Sequence, residues 1–282
     1  MRKIFRLPGT TAVVAIGAFL GNFTVGHIQA NQLYTEGKLS TREANIISTS
    51  LCTTSIALLL MFANANGQSA NWTSVFLVTA FLVYIVTAII ARIPPLSTVP
   101  NTYFENMEPA KEDVAKGNIF KTAWLTGVEV AEKAPNPFLA MWNTGSNSLM
   151  MVAATHVSAV SMWVVPALVN KYTPIFTLLG YLFLPIIKLF GIPNAAELAN
   201  AVGLSFVNPI SASLGLGAMD LAPAAKFFAA CFAAPLVIFF GAFLASLYST
   251  KVPVKFLHVL TVWFERAILT VLILSIICKF MF

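Results

Sequence analysis

The chain has 282 residues, of which 58% are hydrophobic and only 10% charged, with a formal net charge of +6. Soluble domains hold about 25% charged residues, so a water-soluble fold is excluded and lipid must be the main solvent. The positive charge is scattered over loops and helix ends, as orientation in a bilayer requires, and no basic run suits nucleic acid.

After a basic start and Pro8-Gly9, residues 9–36 carry glycines at 17, 21 and 26, with Asn22 near the middle. One tilted helix of about 20 residues is one reading. The turn signal Gly21-Asn22 and the polar second half favour the other, two half-helices forming a re-entrant hairpin. Backbone freed by such a break is tolerated only against protein or a water-filled cavity. The same spacing returns late in the chain: Ala15-Ile16-Gly17 followed by Asn22 is echoed by Ala201-Val202-Gly203 followed by Asn208. A second hairpin is therefore placed at 196–222. Each hairpin is followed by helix-start chemistry, Thr41-Arg42-Glu43 and Ala222-Pro223.

Residues 44–63 form an uncharged span. Asn45, Ser48, Thr49, Cys52 and Ser55 share one face of it, either packing on a neighbouring helix or walling a pathway. A second span covers 72–92, stopped by Pro94-Pro95. Residues 98–148 hold most of the acidic side chains and are expected to be a water-exposed amphipathic connector.

The next span begins at 149 and contains His156. This is either an interior histidine satisfied by a carbonyl or hydroxyl, or a proton-handling or substrate-contacting one. Lys171 and Lys188 bracket a run too short for an unambiguous span. Residues 223–249 follow the second hairpin, and Pro235 should kink or unwind that helix. The last span, 256–278, contains Glu265-Arg266. Neighbours on a helix point about 100° apart, so Arg266 needs another acceptor, with a hairpin carbonyl, Asp220 or Glu197 as candidates.

The expected fold is an all-α polytopic membrane protein with two related repeats, 1–97 and 149–282, each a re-entrant helical hairpin followed by spanning helices. The placement of Lys and Arg favours an inverted arrangement. Twin glycine-containing breaks at matching positions point to a substrate site. The candidate substrate contacts are Asn22, Thr24, Asn45, Thr49, Asn208 and Ser211. The candidate coupling or structural charges are His156, Glu197, Asp220 and Arg266. Cys52, Cys231 and Cys278 are read as buried thiols without metal or disulfide roles, and no catalytic motif or cofactor-binding pattern occurs.

Four blocks carry a family resemblance: residues 26–47 (GHIQANQLYTEGKLSTREANII), 90–103 (IARIPPLSTVPNTY), 184–197 (LPIIKLFGIPNAAE) and 262–269 (VWFERAIL). In that order they resemble YjiH-type membrane proteins of the nucleoside-recognition, or gate-domain, group. That group is distantly similar to concentrative nucleoside transporters and to the gate segments of the iron transporter FeoB. The resemblance implies an inner-membrane transport protein, or its core, holding a small polar solute (a nucleoside, amino acid or organic acid) between two hairpin tips. The candidate coupling ions are read from this chain's own groups, a proton on His156, Glu197 or Asp220 or sodium on hairpin carbonyls, and the candidate partner is a homo-oligomer or a second gate-domain subunit. The alternative is a non-transporting scaffold subunit that acts with a partner gate-domain chain.

Overall fold

The computed structural model describes residues 1–110 and 164–282, with isolated positions between them. His156, most of the 98–148 connector and the start of the span at 149 lie outside the described residues. Among the described residues all regular structure is helical. Three helical stretches, Thr41–Ala65, Ser69–Ile90 and Phe256–Met281, are long and apolar enough to cross a membrane. The 26 residues of the last one reach about 39 Å at 1.5 Å per residue, beyond a hydrocarbon core of about 30 Å.

The chain opens with a short helix, α1 (Arg2–Phe5), and then a packed helix pair, α2 (Ala12–Leu20) and α3 (Phe23–Thr35). Helix α4 (Thr41–Ile46) starts on a capping box: Ser40 Oγ accepts from Glu43 N, and Glu43 Oε2 accepts from Ser40 N at 2.8 Å. It runs into a π-helical turn, Ile47–Leu51, and stops. After four non-helical residues, 52–55, helix α5 (Ile56–Ala65) begins with Ser55 Oγ accepting from Leu58 N. Helix α6 (Trp72–Ile90) is uninterrupted.

This corrects the expectation of one helix over 44–63 with a single polar face. The π turn and the break rotate Cys52 and Ser55 out of register with Asn45 and Thr49.

On the far side of the undescribed region, α7 (Val164–Tyr172) and the stretch Ile175–Leu189 meet at 79°. Pro174, which cannot donate to a continuing helix, stands at the bend. Helices α8 (Ile175–Tyr181) and α9 (Leu184–Leu189) lead to a second packed pair, α10 (Ala195–Leu204) and α11 (Pro209–Gly217). Gly203 lies against the Phe176 carbonyl and the Gly180 backbone, so α10 and α8 approach main chain to main chain with no room for a side chain. Small residues that permit such approach are how helices associate where lipid is as apolar as the side chains.

Helix α12 (Pro223–Cys231) has proline at its first turn and a preceding amide, Ala222 N, donating to Asn194 Oδ1 at 3.1 Å. Residues 232–241 are non-helical, and Gly241, at φ 119°, supplies the turn into α13 (Ala242–Tyr248). The single helix expected over 223–249 is thus two helices with a ten-residue opening around Pro235. Helix α14 (Phe256–Met281) closes the fold.

Helix pair, interrupted helix and long helix therefore occur in that order twice. The buried core runs through α4 to α6 and α12 to α14.

Candidate functional site

The two interruptions meet. Thr53 Oγ1 donates to the Ala234 carbonyl at 3.1 Å, joining residues 52–55 to residues 232–241. Arg266, 1% exposed on α14, clamps both. Its Nε donates to Pro235 O at 2.7 Å, and its Nη1 donates to Thr49 O at 2.8 Å and Ser50 O at 2.7 Å. The last carbonyls of an ended helix have no partner within it, and a buried guanidinium needs acceptors. Each requirement meets the other here, and a cation at a helix C-terminus also suits the helix dipole. Thr87 Oγ1 donates to Ser50 O as well, at 2.8 Å.

The first helix pair reaches the same place through His27, which is fully buried. Its Nε2 lies 3.0 Å from Ser48 O and its Nδ1 2.9 Å from Ser246 Oγ. A carbonyl only accepts, so Nε2 carries the proton, and in the neutral ring Nδ1 takes the serine hydroxyl. One histidine thus ties α3 to both interrupted helices. Gly26, one residue earlier, lies against Cys52 Sγ at the first break, and any larger residue would displace that thiol.

The second interruption is also the piece that touches both pairs. Phe239 packs edge-on to Phe23, at the start of α3, with centroids 5.8 Å apart. The Phe240 amide donates to Phe206 O at 3.1 Å, in the turn before α11, and the two rings pack at 4.9 Å. Ser48 Oγ and Thr54 Oγ1, beside the crossing in sequence, are buried and have no hydrogen-bond partner among the described residues.

Asn22 and Asn208 hold equivalent local positions. Asn22 Oδ1 accepts from Thr24 N at 2.9 Å and Val25 N at 3.2 Å. Asn208 Oδ1 accepts from Ile210 N at 3.0 Å and Ser211 N at 3.3 Å. Each side chain oxygen caps the second helix of its pair, and neither cap uses the amide nitrogen. No hydrogen bond joins Asn22 to Asn208 among the described residues; the segment Phe239–Phe240 lies against both turns. Asn208 and Ser211 line a cavity of about 200 Å³ with Asn170 and Ala167 of α7. Thr24 is half-buried on the first turn of α3.

The other candidates divide differently. Asn45 is buried and spends its amide on Thr41 O at 2.8 Å and Pro253 O at 3.2 Å, while its Oδ1 has no partner among the described residues. Thr49 Oγ1 bonds back to Asn45 O at 2.7 Å. Glu197 and Asp220 are exposed at the ends of the second pair. The acceptors of Arg266 are none of the three candidates expected, neither Asp220 nor Glu197 nor a carbonyl of a helix pair, but main-chain oxygens of the two interrupted helices. His27, Thr53 and Ser246 were not singled out from sequence, and Ser48 only as one member of the polar face expected over 44–63. The available signal was His27 itself, an ionisable group inside an apolar, acid-free stretch.

No family model matches the chain, and no solved structure matches it. It is similar to an uncharacterised protein of Alkalihalophilus pseudofirmus, 29% identical over 273 residues, which cover 96% of this chain and 58% of that protein. The chain therefore spans a little over half the length of this relative. The apolar helices define a membrane-embedded protein that is helical throughout its described regular structure.

Proposed function

We propose that this is an inner-membrane transport protein, or the core subunit of one, that moves a small polar solute such as a nucleoside, amino acid or organic acid. In this reading each helix pair is a re-entrant hairpin, the two halves are related repeats in inverted orientation, and the chain is of the gate-domain type that its sequence blocks resemble. The observation that carries the reading is the crossing of two interrupted helices at Thr53 and Ala234, flanked through Phe23 and Phe206 by the turns of both pairs. Open backbone at membrane depth is tolerated only where it is buried in protein or lines a cavity, and paired discontinuous helices are how transporters build midplane sites. The hydroxyls of Ser48 and Thr54, without a partner among the described residues, add polar groups where a solute would need them. The coupling ion in this reading is sodium or a proton.

Thermal melting of the purified protein against nucleosides, amino acids and dicarboxylates, with and without sodium, tests the reading. A solute class that raises the melting temperature and accumulates in proteoliposomes supports it. The absence of both effects across all classes rejects it.

A further inference from the structure

Helices that open inside a bilayer leave main-chain carbonyls unpaired. Transporters built on discontinuous helices use such carbonyls, together with half-helix C-terminal ends, to coordinate a coupling sodium ion. The crossing has both parts of that arrangement. Thr49 O and Ser50 O lie in the last turn of the first interrupted helix, whose helical stretch ends at Leu51. Pro235 O lies in the opened stretch 232–241 of the second. The cation that joins these oxygens belongs to the chain itself: the Arg266 guanidinium reaches Pro235 O at 2.7 Å, Thr49 O at 2.8 Å and Ser50 O at 2.7 Å. Arg266 is 1% exposed, and no carboxylate pairs with it among the described residues.

We propose that Arg266 is a tethered cation in the place of a coupling sodium ion, so that the crossing takes no sodium and the protein works without a sodium gradient. The inference rests on the transport reading above and narrows it: of the two coupling ions, sodium drops out. A positive charge at the C-terminal carbonyls of a helix is favoured by the helix dipole, whether a metal ion or a side chain carries it. The difference lies in exchange. A sodium ion enters from one side and leaves to the other, which ties a gradient to the motion of the two breaks. Arginine keeps its charge in proteins and cannot leave its helix, so it braces the breaks without drawing on any gradient. Two hydroxyls of the first interrupted helix, Ser48 Oγ and Thr54 Oγ1, are buried without a partner among the described residues. With the guanidinium removed, they add to the oxygens that a small free cation can use.

The test compares melting temperatures of the purified protein in sodium, methylguanidinium and choline chloride at equal ionic strength. The unaltered protein should melt at the same temperature in sodium and in choline, whereas an ion bound at about 100 times its dissociation constant would raise melting by several degrees. Arg266→Ala removes the charge and leaves its space empty. It should melt lower in choline and regain about half of the loss or more in sodium or methylguanidinium. Arg266→Met fills that space with an uncharged chain and should regain nothing. Sodium-dependent melting of the unaltered protein would overturn the proposal, and that measurement decides against it even if the alanine variant does not fold. So would an alanine variant that neither cation restores, or a methionine variant restored as fully as the alanine one. None of these measurements uses a solute, so a failure of the transport reading, seen as no solute effect in any class, is read separately.

Discussion

Thr53 Oγ1 and Ala234 O are 3.1 Å apart although 181 residues separate them in the chain. Each belongs to a stretch where a helix has opened, so the bond joins two regions that cannot satisfy their own backbone. Around it Arg266 collects three further carbonyls and His27 one more. The breaks are held by cross-bracing, and each brace can be removed singly.

Replacing Arg266 by Met takes this donor from Pro235 O and Thr49 O, while Ser50 O keeps the Thr87 hydroxyl. Each buried acceptor left unsatisfied costs about 1–3 kcal/mol, partly offset because a cation no longer has to be buried. Arg266→Met should lower the melting temperature in detergent. Arg266→Lys should recover part of the loss, since an ammonium lacks the planar fork that reaches two breaks at once. A lysine variant as unstable as the methionine one would show that charge at this point contributes nothing.

Ser246→Ala removes one bond to His27 and should cost about 1 kcal/mol. His27→Phe also orphans Ser48 O and should cost more. Because both changes act on one bonded unit, the double variant should fall short of the sum. Strict additivity in denaturation measurements would mean that the histidine does not couple the two helices.

Gly203 and Gly215 provide a matched pair. A methyl group at 203 collides with the Phe176 carbonyl, whereas one at 215 meets nothing within 4 Å. Gly203→Ala should destabilise by about 1–3 kcal/mol through overpacking. Gly215→Ala, inside α11, should be neutral or stabilising by up to about 1 kcal/mol. Thermal melts of the two proteins side by side would reveal any reversal of this order.

Asn22 and Asn208 allow capping and solute contact to be separated. Asn→Ala at either position should cost about 1 kcal/mol as a lost cap, while Asn→Ser or Asn→Asp should cost little. If the amide nitrogen that the cap does not use contacts solute, Asn→Ser will keep stability and lose the solute-dependent shift in melting. A serine variant with an undiminished shift would remove that amide from the site.

Lys38 Nζ donates to Glu36 Oε2 at 2.6 Å just past the end of α3, and with Gln32 it holds the Glu36 carboxyl below its usual range. A depressed carboxylate contributes stability above its unfolded pKa and loses it as pH falls through the folded value. Lys38→Gln should therefore have a small destabilising effect at neutral pH, limited by solvent screening of an exposed pair. The effect should vanish in strong acid, and a difference that grows on acidification would contradict this sign.

Some of this architecture is written plainly in the sequence. Gly21-Asn22 and Asn208-Pro209 announce helix breaks because glycine, asparagine and proline act on their own backbone. Ser40 with Glu43 announces a helix start in the same local way. The break at residues 52–55 is silent, since Cys-Thr-Thr-Ser contains neither glycine nor proline. What stabilises it lies elsewhere in the chain, in Arg266, Thr87 and the Ala234 carbonyl. Pro235 foretells a disturbance but not its ten-residue length, which also depends on Gly241 and on Phe240 bonding to Phe206. The acceptors of Arg266 were sought among two acids and the carbonyls of a hairpin, and nothing in a sequence marks which carbonyls they are.

The grip of Arg266 has an asymmetric inheritance. A guanidinium that holds only peptide oxygens asks nothing of the side chains at positions 49 and 50, because every amino acid brings the same oxygen. Those two sites are free to drift as far as their packing allows, while position 266 carries the whole constraint alone. In a set of related chains the brace would leave its trace at one site, with no covarying partner.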